Sequence, residues 1–403
     1  MENTHTSPIS VGNRLLNNRL AVIGIIIIVF AHILAGLGYL VIPDGTTNAN
    51  EGDIAIRQKH PFFTTKILYM KKGVEVESQN LFKVIFSGKE QEYTFQAINN
   101  YEIKEDSVYF TVFTNPIPIK EALLNVVRAV NRDMPVEKIE GETEDSFVYY
   151  TPEKQKHEVS VSQLVEEFKK FNVEERTYYL GTDNSGRDVL SRVVLGLRIS
   201  LSIGFVVVVI SLLVGISLGA LAGFFGGKSD SFISWLMTVV WSVPSVMLVI
   251  IISMSLNVKN IWVVFVAVGL TMWVDVARTV RGEIMVIKQK LYIDAAKAFG
   301  LRDFYIIYKH ILPNITGSLV VLASSNFAFA IITETGLSFL GLSVQDPVPS
   351  LGGLIKQGQE FIINPEKLHL VLAPSLVITI LVFAFNLLGN GLRDAYSPQS
   401  HQQ

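Results

Sequence analysis

Ile199-Ser-Leu-Ser-Ile-Gly-Phe-Val-Val-Val-Val-Ile-Ser-Leu-Leu-Val-Gly-Ile-Ser-Leu-Gly-Ala-Leu-Ala-Gly-Phe-Phe225 contains no charged side chain. At about 1.5 Å per residue, a helix of this length exceeds a hydrocarbon core about 30 Å thick. The stretch is bracketed by Arg198 and Lys228. Moving outward, Leu20–Ile42 is apolar apart from His32, and Phe232–Leu256, Ile261–Ala277, Ile315–Leu340 and Leu368–Leu388 follow the same pattern, the fourth of the six runs being the shortest. A 49% hydrophobic content decides little by itself, because soluble domains reach about 45–50%. The clustering decides. The expected fold class is an all-α polytopic membrane protein with about six transmembrane helices and one inserted α+β domain outside the membrane.

The insert is the block 43–180. It holds 23 of the 36 acidic residues and 17 of the 34 basic ones, and no segment in it is long and apolar enough to span. Val74–Val76, Phe82–Phe86, Tyr93–Ala97 and Val108–Phe113 alternate as strands do, and Leu164–Phe171 reads as a short amphipathic helix. Aromatic and β-branched residues argue against disorder. A formal net charge of −2 excludes the global basic field of a nucleic-acid binder. The chain has no cysteine, which excludes disulfide frameworks, zinc-thiolate sites and thiol catalysis.

Arg14 and Arg19 precede the first apolar run. That run is longer than the core of about 7–15 residues in a cleaved signal peptide, so it reads as an uncleaved span with its N-terminus in the cytoplasm. Six spans then place 278–313 in the cytoplasm. This segment carries Arg278, Arg281, Lys288, Lys290, Lys297, Arg302 and Lys309 against Glu283, Asp294 and Asp303, the bias expected on the inner side. Both termini fall inside.

The cytoplasmic segment contains Tyr292-Ile-Asp-Ala-Ala-Lys-Ala-Phe-Gly300-Leu-Arg-Asp and closes with Ile311-Leu312-Pro313-Asn314. Its expected form is a short helix starting near Asp294, a stop at Gly300, and a second helix. Ala295, Ala296 and Ala298 give the first helix a small-residue surface. Gly300 suits the left-handed residue that ends a helix. Phe304, Ile307, Tyr308 and Ile311 recur at helical spacing as one apolar face, and Pro313 breaks the pattern before the fifth span. An apolar helix on a cytoplasmic loop suits a groove on a partner.

This stretch resembles the coupling motif of ABC importer permeases, which reads Glu-Ala-Ala, a short spacer, Gly, and then a hydrophobic-x-Leu-Pro element. Asp294 stands in place of the glutamate. Two further stretches narrow the resemblance to the C-type permease of dipeptide, oligopeptide and nickel importers: Leu180-Gly-Thr-Asp-Asn-Ser-Gly-Arg-Asp188 with its continuation to Leu201, and Glu334-Thr-Gly-Leu-Ser-Phe-Leu-Gly-Leu342. Phe385-Asn-Leu-Leu-Gly-Asn-Gly-Leu-Arg-Asp394 is similar too, with Asn390 where the family more often has aspartate. The resemblance covers 178–398 and, more faintly, 10–42, but not 43–177.

The resemblance implies a division into a cytoplasmic N-terminus 1–19, a first transmembrane helix 20–42, the outer insert 43–180, a permease core 181–398 with coupling loop 284–313, and a tail 399–403. It implies a subunit of the bacterial plasma (inner) membrane that forms a path with a second homologous permease. Two ABC ATPase subunits would grip Asp294, Ala295, Ala296, Gly300, Ile311, Leu312 and Pro313, and an extracytoplasmic substrate-binding protein would deliver cargo, with peptide ahead of nickel or another solute. ATP and Mg would be used by the ATPases. This chain is then no enzyme, binds no cofactor or metal of its own, and has membrane lipid but no nucleic acid as a partner. Two rivals stand beside this reading: an ion-gradient-driven secondary transporter, which should show broken helices and repeats, and a membrane-anchored receptor or scaffold working through the insert.

Several residues have two readings. Thr182, Asp183 and Gly186 read as a capped turn after Gly181, with Arg187, Asp188 and Arg192 at the outer membrane edge as an interfacial cap or as a gate or receptor contact. Ala222-Gly-Phe-Phe-Gly-Gly-Lys228-Ser229 nearly matches a phosphate-binding loop, but it ends a span instead of following a strand, so Gly226, Gly227 and Lys228 read as a tight turn. Ionisable residues inside spans are functional candidates. Glu334 lines the path or fixes helix packing, Asp275 pairs locally with Arg278, and His32 is a packed histidine. Gly215, Gly219 and Gly223 recur every four residues as a close-packing stripe. Trp235 and Trp241 anchor or pack the third span.

Overall fold

The computed structural model describes residues 11–73, 79–140, 145–255 and 261–396. The expected strand Val74–Val76, the end of the third run and the tail 399–403 lie outside these. The chain divides into two units: one formed by residues up to Ala35, Gly196–Lys356 and from Pro374 onward, the other by Gly36–Leu195 with Gln357–Ala373. The residues 181–195 thus group with the sheet-bearing unit.

Among the described residues, four helices are long and apolar enough to cross a membrane: Arg19–Gly36, Val189–Phe225, His369–Tyr396 and the continuous stretch Asp303–Leu340. A fifth candidate is bent. Gly227–Trp241 and Ser245–Ser255 meet at 88°, where a straight span over Phe232–Leu256 was expected. Pro244 immediately precedes the second segment. It lacks an N–H and clashes with the preceding turn, which favours a break at this point. The fourth run lies in Ile261–Ile287, a longer helix whose second half carries Asp275, Arg278, Arg281 and Glu283.

Small residues bring these helices together. A Cβ on Gly215 would sit 2.5 Å from the Val276 side chain, one on Gly219 2.5 Å from the Ala277 carbonyl, and one on Gly223 2.8 Å from the Arg281 carbonyl. The glycine stripe is therefore the seat of the 261–287 helix. Gly24 packs likewise on Ala384, and Gly391 on Ala21. His32 is not packed: it faces outward, with Nδ1 2.8 Å from the Ile28 carbonyl of its own helix.

The other unit carries β1 (Phe63–Lys71), β2 (Tyr93–Lys104), β3 (Ser107–Val112), β4 (Asn115–Ala122), β5 (Glu137–Ile139), β6 (Ser146–Tyr150), β7 (Lys156–Ser160) and β8 (Val173–Tyr178). A five-stranded sheet has the order β4-β3-β2-β1-β8, and a three-stranded one β5-β6-β7. The pairings are antiparallel. Strand β1, between β2 and β8, is covered on both faces: Leu68 joins Ile98, Phe110, Leu123, Leu164 and Phe168, while its neighbour Ile67 joins Ile56, Ala97 and Tyr178. Adjacent residues point to opposite faces, so each side has its own core. Leu164 lies in the helix Val161–Glu167. Phe82–Phe86, expected as a strand, is instead part of the helix Leu81–Ser87.

Candidate functional site

The loop after the 261–287 helix folds as two short helices. Leu291–Ala298 is the first, with Asp294 in its first turn. Gly300 ends it at φ +74°. The Gly300 N–H donates to the Lys297 carbonyl at 2.9 Å and the Leu301 N–H to the Ala296 carbonyl at 3.2 Å, the paired bonds of a Schellman stop. Asp303–Ile306 begins the second helix, and a π-helical turn covers Ile307–Ile311. Pro313 does not break the helix as expected. The Leu312 N–H reaches back to the Ile307 carbonyl, and this wider turn makes room for the proline ring.

The loop has an inner and an outer face. Ile293, Ala296, Ile306, Ile307 and Ile311 are buried with Phe224, Val276, Val280 and Ile284. Leu291 (86% exposed), Phe299 (86%), Phe304 (69%) and Tyr308 (74%) point away from this core. The expected single face of Phe304, Ile307, Tyr308 and Ile311 is thus split, the two isoleucines inward and the two aromatics outward. Asp294, Ala295, Gly300 and Pro313 are exposed, and Leu312 is half-buried. Lys288 Nζ donates to the Phe224 carbonyl, and Lys297 Nζ lies 5.4 Å from the Phe224 ring. Arg281 grips Asp230 through Nε at 2.5 Å and Nη2 at 2.8 Å. Sequence reasoning passed over Asp230; its only signal was an acid just after the turn. That turn is Gly226 at φ +68° and Gly227 at φ +56°.

The Gly181–Asp188 motif builds a buried knot inside its own unit. Thr182 Oγ1 donates to the Ile56 carbonyl at 2.5 Å and accepts the Lys59 N–H at 2.8 Å. Asp183 accepts the N–H groups of Ser185 (2.8 Å) and Arg187 (3.0 Å) and the Arg187 Nε (2.7 Å), with Arg192 Nε 3.4 Å away. Asp188 accepts the Ser191 N–H and hydroxyl. Burial pushes its carboxyl above the usual range. At Gly186, φ is +75° and a Cβ would lie 1.8 Å from the Asp53 carbonyl; no other residue fits. Arg187 and Asp188 are buried within this knot. It continues into Asp44, Glu51 and Arg176, which lie too far apart in sequence to be grouped by pattern alone. Asp44 accepts the Thr46 and Glu51 N–H groups, and Arg176 holds Glu51 at 3.0 Å.

Glu334 is completely buried, so it lines nothing open to solvent here. Its carboxyl accepts Ser338 Oγ at 2.6 Å and Ser200 Oγ at 3.1 Å, while Ser350 donates to Ser338 at 3.1 Å and caps Gly353. Three segments meet at this acid. Asp275 does not pair with Arg278. The guanidinium stacks instead on Trp241, 3.9 Å from the ring centre. Among the described residues no group of three or more His, Cys, Asp or Glu is placed to hold a metal.

A family model described as "Binding-protein-dependent transport system inner membrane component" matches residues 215–401. The chain is 40% identical over 225 residues to the glutathione transport system permease protein GsiD of Pectobacterium atrosepticum, covering 55% of this chain and 73% of that one. It is 36% identical over 225 residues to the oligopeptide transport system permease protein OppC of Bacillus subtilis (56% and 72% covered), and 40% over 226 residues to OppC of Escherichia coli K12 (56% and 74%). An inward-facing structure of the MetNI methionine ABC transporter aligns with 52% of this chain and 98% of its own at 18% identity and a TM-score of 0.44. The chain is a multi-pass membrane permease of the ABC importer class. Within that class it belongs to the dipeptide/oligopeptide permease family that includes OppC, DppC and GsiD. The matched family model begins after the sheet-bearing insert.

Proposed function

We propose that this chain forms half of the translocation path of an ATP-driven importer of short peptides. A second permease forms the other half, and two ATPase subunits, using ATP and Mg, drive the cycle. Curated relatives are named for glutathione, oligopeptide and dipeptide transport, which supports the peptide reading. Six spans with both termini inside fit if the bent pair and the 261–287 helix each count as one. The sheet-bearing insert then lies outside, as an enlarged platform for the substrate-binding protein or the partner permease. In this reading the buried Gly181–Asp188 knot roots the insert, and Glu334 fixes the joint between three segments.

The observation that carries the proposal is the outer face of the 291–311 segment. Leu291, Phe299, Phe304 and Tyr308 stand exposed over a tightly buried isoleucine core. Such patches mark interaction sites. Rigid backing lets a push on the patch reach the spanning helices. The test is co-purification of the solubilised chain with its neighbours, with and without Phe299→Ser and Phe304→Ser. Both side chains are exposed, so the fold tolerates the changes. The ATPase subunits should be lost and the second permease retained. If the ATPases stay bound to the double variant, the docking face is wrong. If the chain purifies alone from the start, the importer reading itself fails.

A further inference from the structure

The break at Pro244 opens a cavity of about 380 Å³ inside the helical unit, against the 261–287 and Leu312–Leu340 helices. Trp241, Ser245, Thr271, Asp275, Ser325 and Asn326 supply its polar wall. Asp275 is exposed, and among the described residues its carboxylate makes neither a salt bridge nor a hydrogen bond. The nearest cation in sequence, Arg278, is held on Trp241. In the six-span reading above this helix spans, and a bare carboxylate on it is costly in hydrocarbon and faces water or a ligand instead. Asn326 is only 8% exposed, yet its Nδ2 is buried without a partner. The first turn of Ser245–Ser255 adds N–H groups with no intrahelical acceptor.

We propose that this cavity is a way-station for the cargo's ammonium group, with Asp275 as its counter-charge and Asn326 and the Ser245 amide as donors to peptide carbonyls. The assignment rests on the peptide reading above. One negative charge beside neutral donors suits an amino terminus followed by amides. Among the described residues the cavity lacks the ligand cluster a divalent metal needs. A single counter-charge also holds cargo weakly enough to release it, as any transit site must.

The chain's lack of cysteine makes the first test clean. In the assembled transporter, Asp275→Cys should react with a water-soluble methanethiosulfonate, and saturating peptide with its binding protein should slow the reaction. No reaction means that this face is packed, and the proposal falls. The second test compares uptake of a tripeptide with a free amino terminus and of its N-acetyl form, each corrected for capture by the binding protein. Asp275→Asn should cut uptake of the free amine about tenfold, leave the acetylated form little changed, and be rescued by Asp275→Glu. Equal loss on both peptides indicates a structural role and overturns the assignment, as does no loss. If the unaltered transporter moves neither peptide while still binding its ATPases, the peptide reading has failed, and the ammonium assignment with it.

Discussion

Gly300 offers a perturbation in which backbone and packing effects separate. Its φ is +74°, and a Cβ built there meets no heavy atom within 4 Å. Gly300→Ala therefore creates no clash; it only penalises the left-handed conformation, by about 1–2 kcal/mol. Loss of chain entropy in the unfolded loop offsets about 0.4–1 kcal/mol of this. The net is about 1 kcal/mol, or roughly a fivefold fall in the population of the Schellman stop relative to other loop states. Asparagine tolerates the left-handed region and should cost far less. The assay is ATP hydrolysis and peptide uptake in proteoliposomes containing the whole transporter. Uptake per ATP should rank glycine, then asparagine, then alanine. If asparagine and alanine lose coupling equally, side-chain bulk at a docked partner is responsible, and the conformational argument is refuted. If neither loses any, the loop does not depend on this angle.

Two other outcomes follow from packing and charge. Gly219→Val should destabilise the solubilised chain by about 1–3 kcal/mol, because its Cβ would meet the Ala277 carbonyl at 2.5 Å and the Val280 Cβ at 2.9 Å. Gly336→Ala, inside a helix with nothing within 4 Å, should instead stabilise by about 0.5–1 kcal/mol in the same thermal assay; equal losses at both sites would sink the close-packing account. Burial pushes the carboxyls of Asp44 and Glu51 above the usual range, and Asp44's charge raises Glu51 further. Both acids hold protons more tightly folded than unfolded. Their contribution to stability is complete below the ordinary carboxylate range and is lost as the pH rises through the elevated folded values. Protease resistance of the 36–195 unit should fall over that window, and Glu51→Gln should flatten the fall; an unchanged slope in the variant rejects the pair as its source.

The apolar runs and the loop motif were legible because both are local. A charge-free run needs no knowledge of its neighbours, and a glycine stop is written in adjacent residues. What could not be read depends on contacts distant in sequence. Phe82–Phe86 carries an ambiguous pattern that helix and strand both accommodate, and no residue of it is fully buried to arbitrate. Arg278 finds Trp241 rather than Asp275 three residues away, because the helix break brings the indole within reach. The buried acids around Asp183 combine residues more than a hundred positions apart. Pro313 looked like a terminus, since sequence alone does not show that one wide turn absorbs it.

That absorbed proline has a mechanical consequence. Asp303–Leu340 is one 38-residue element, about 57 Å long at 1.5 Å per residue. Under the proposed coupling it would serve as a lever, with its handle at the exposed Phe304 and Tyr308 and its far end beyond Glu334. A tilt of about 5° at the handle moves the other end about 5 Å over such a length. Had Pro313 made a hinge, most of that displacement would be lost in bending. In the importer cycle proposed above, a push from an ATPase subunit would cross the bilayer through this one continuous element.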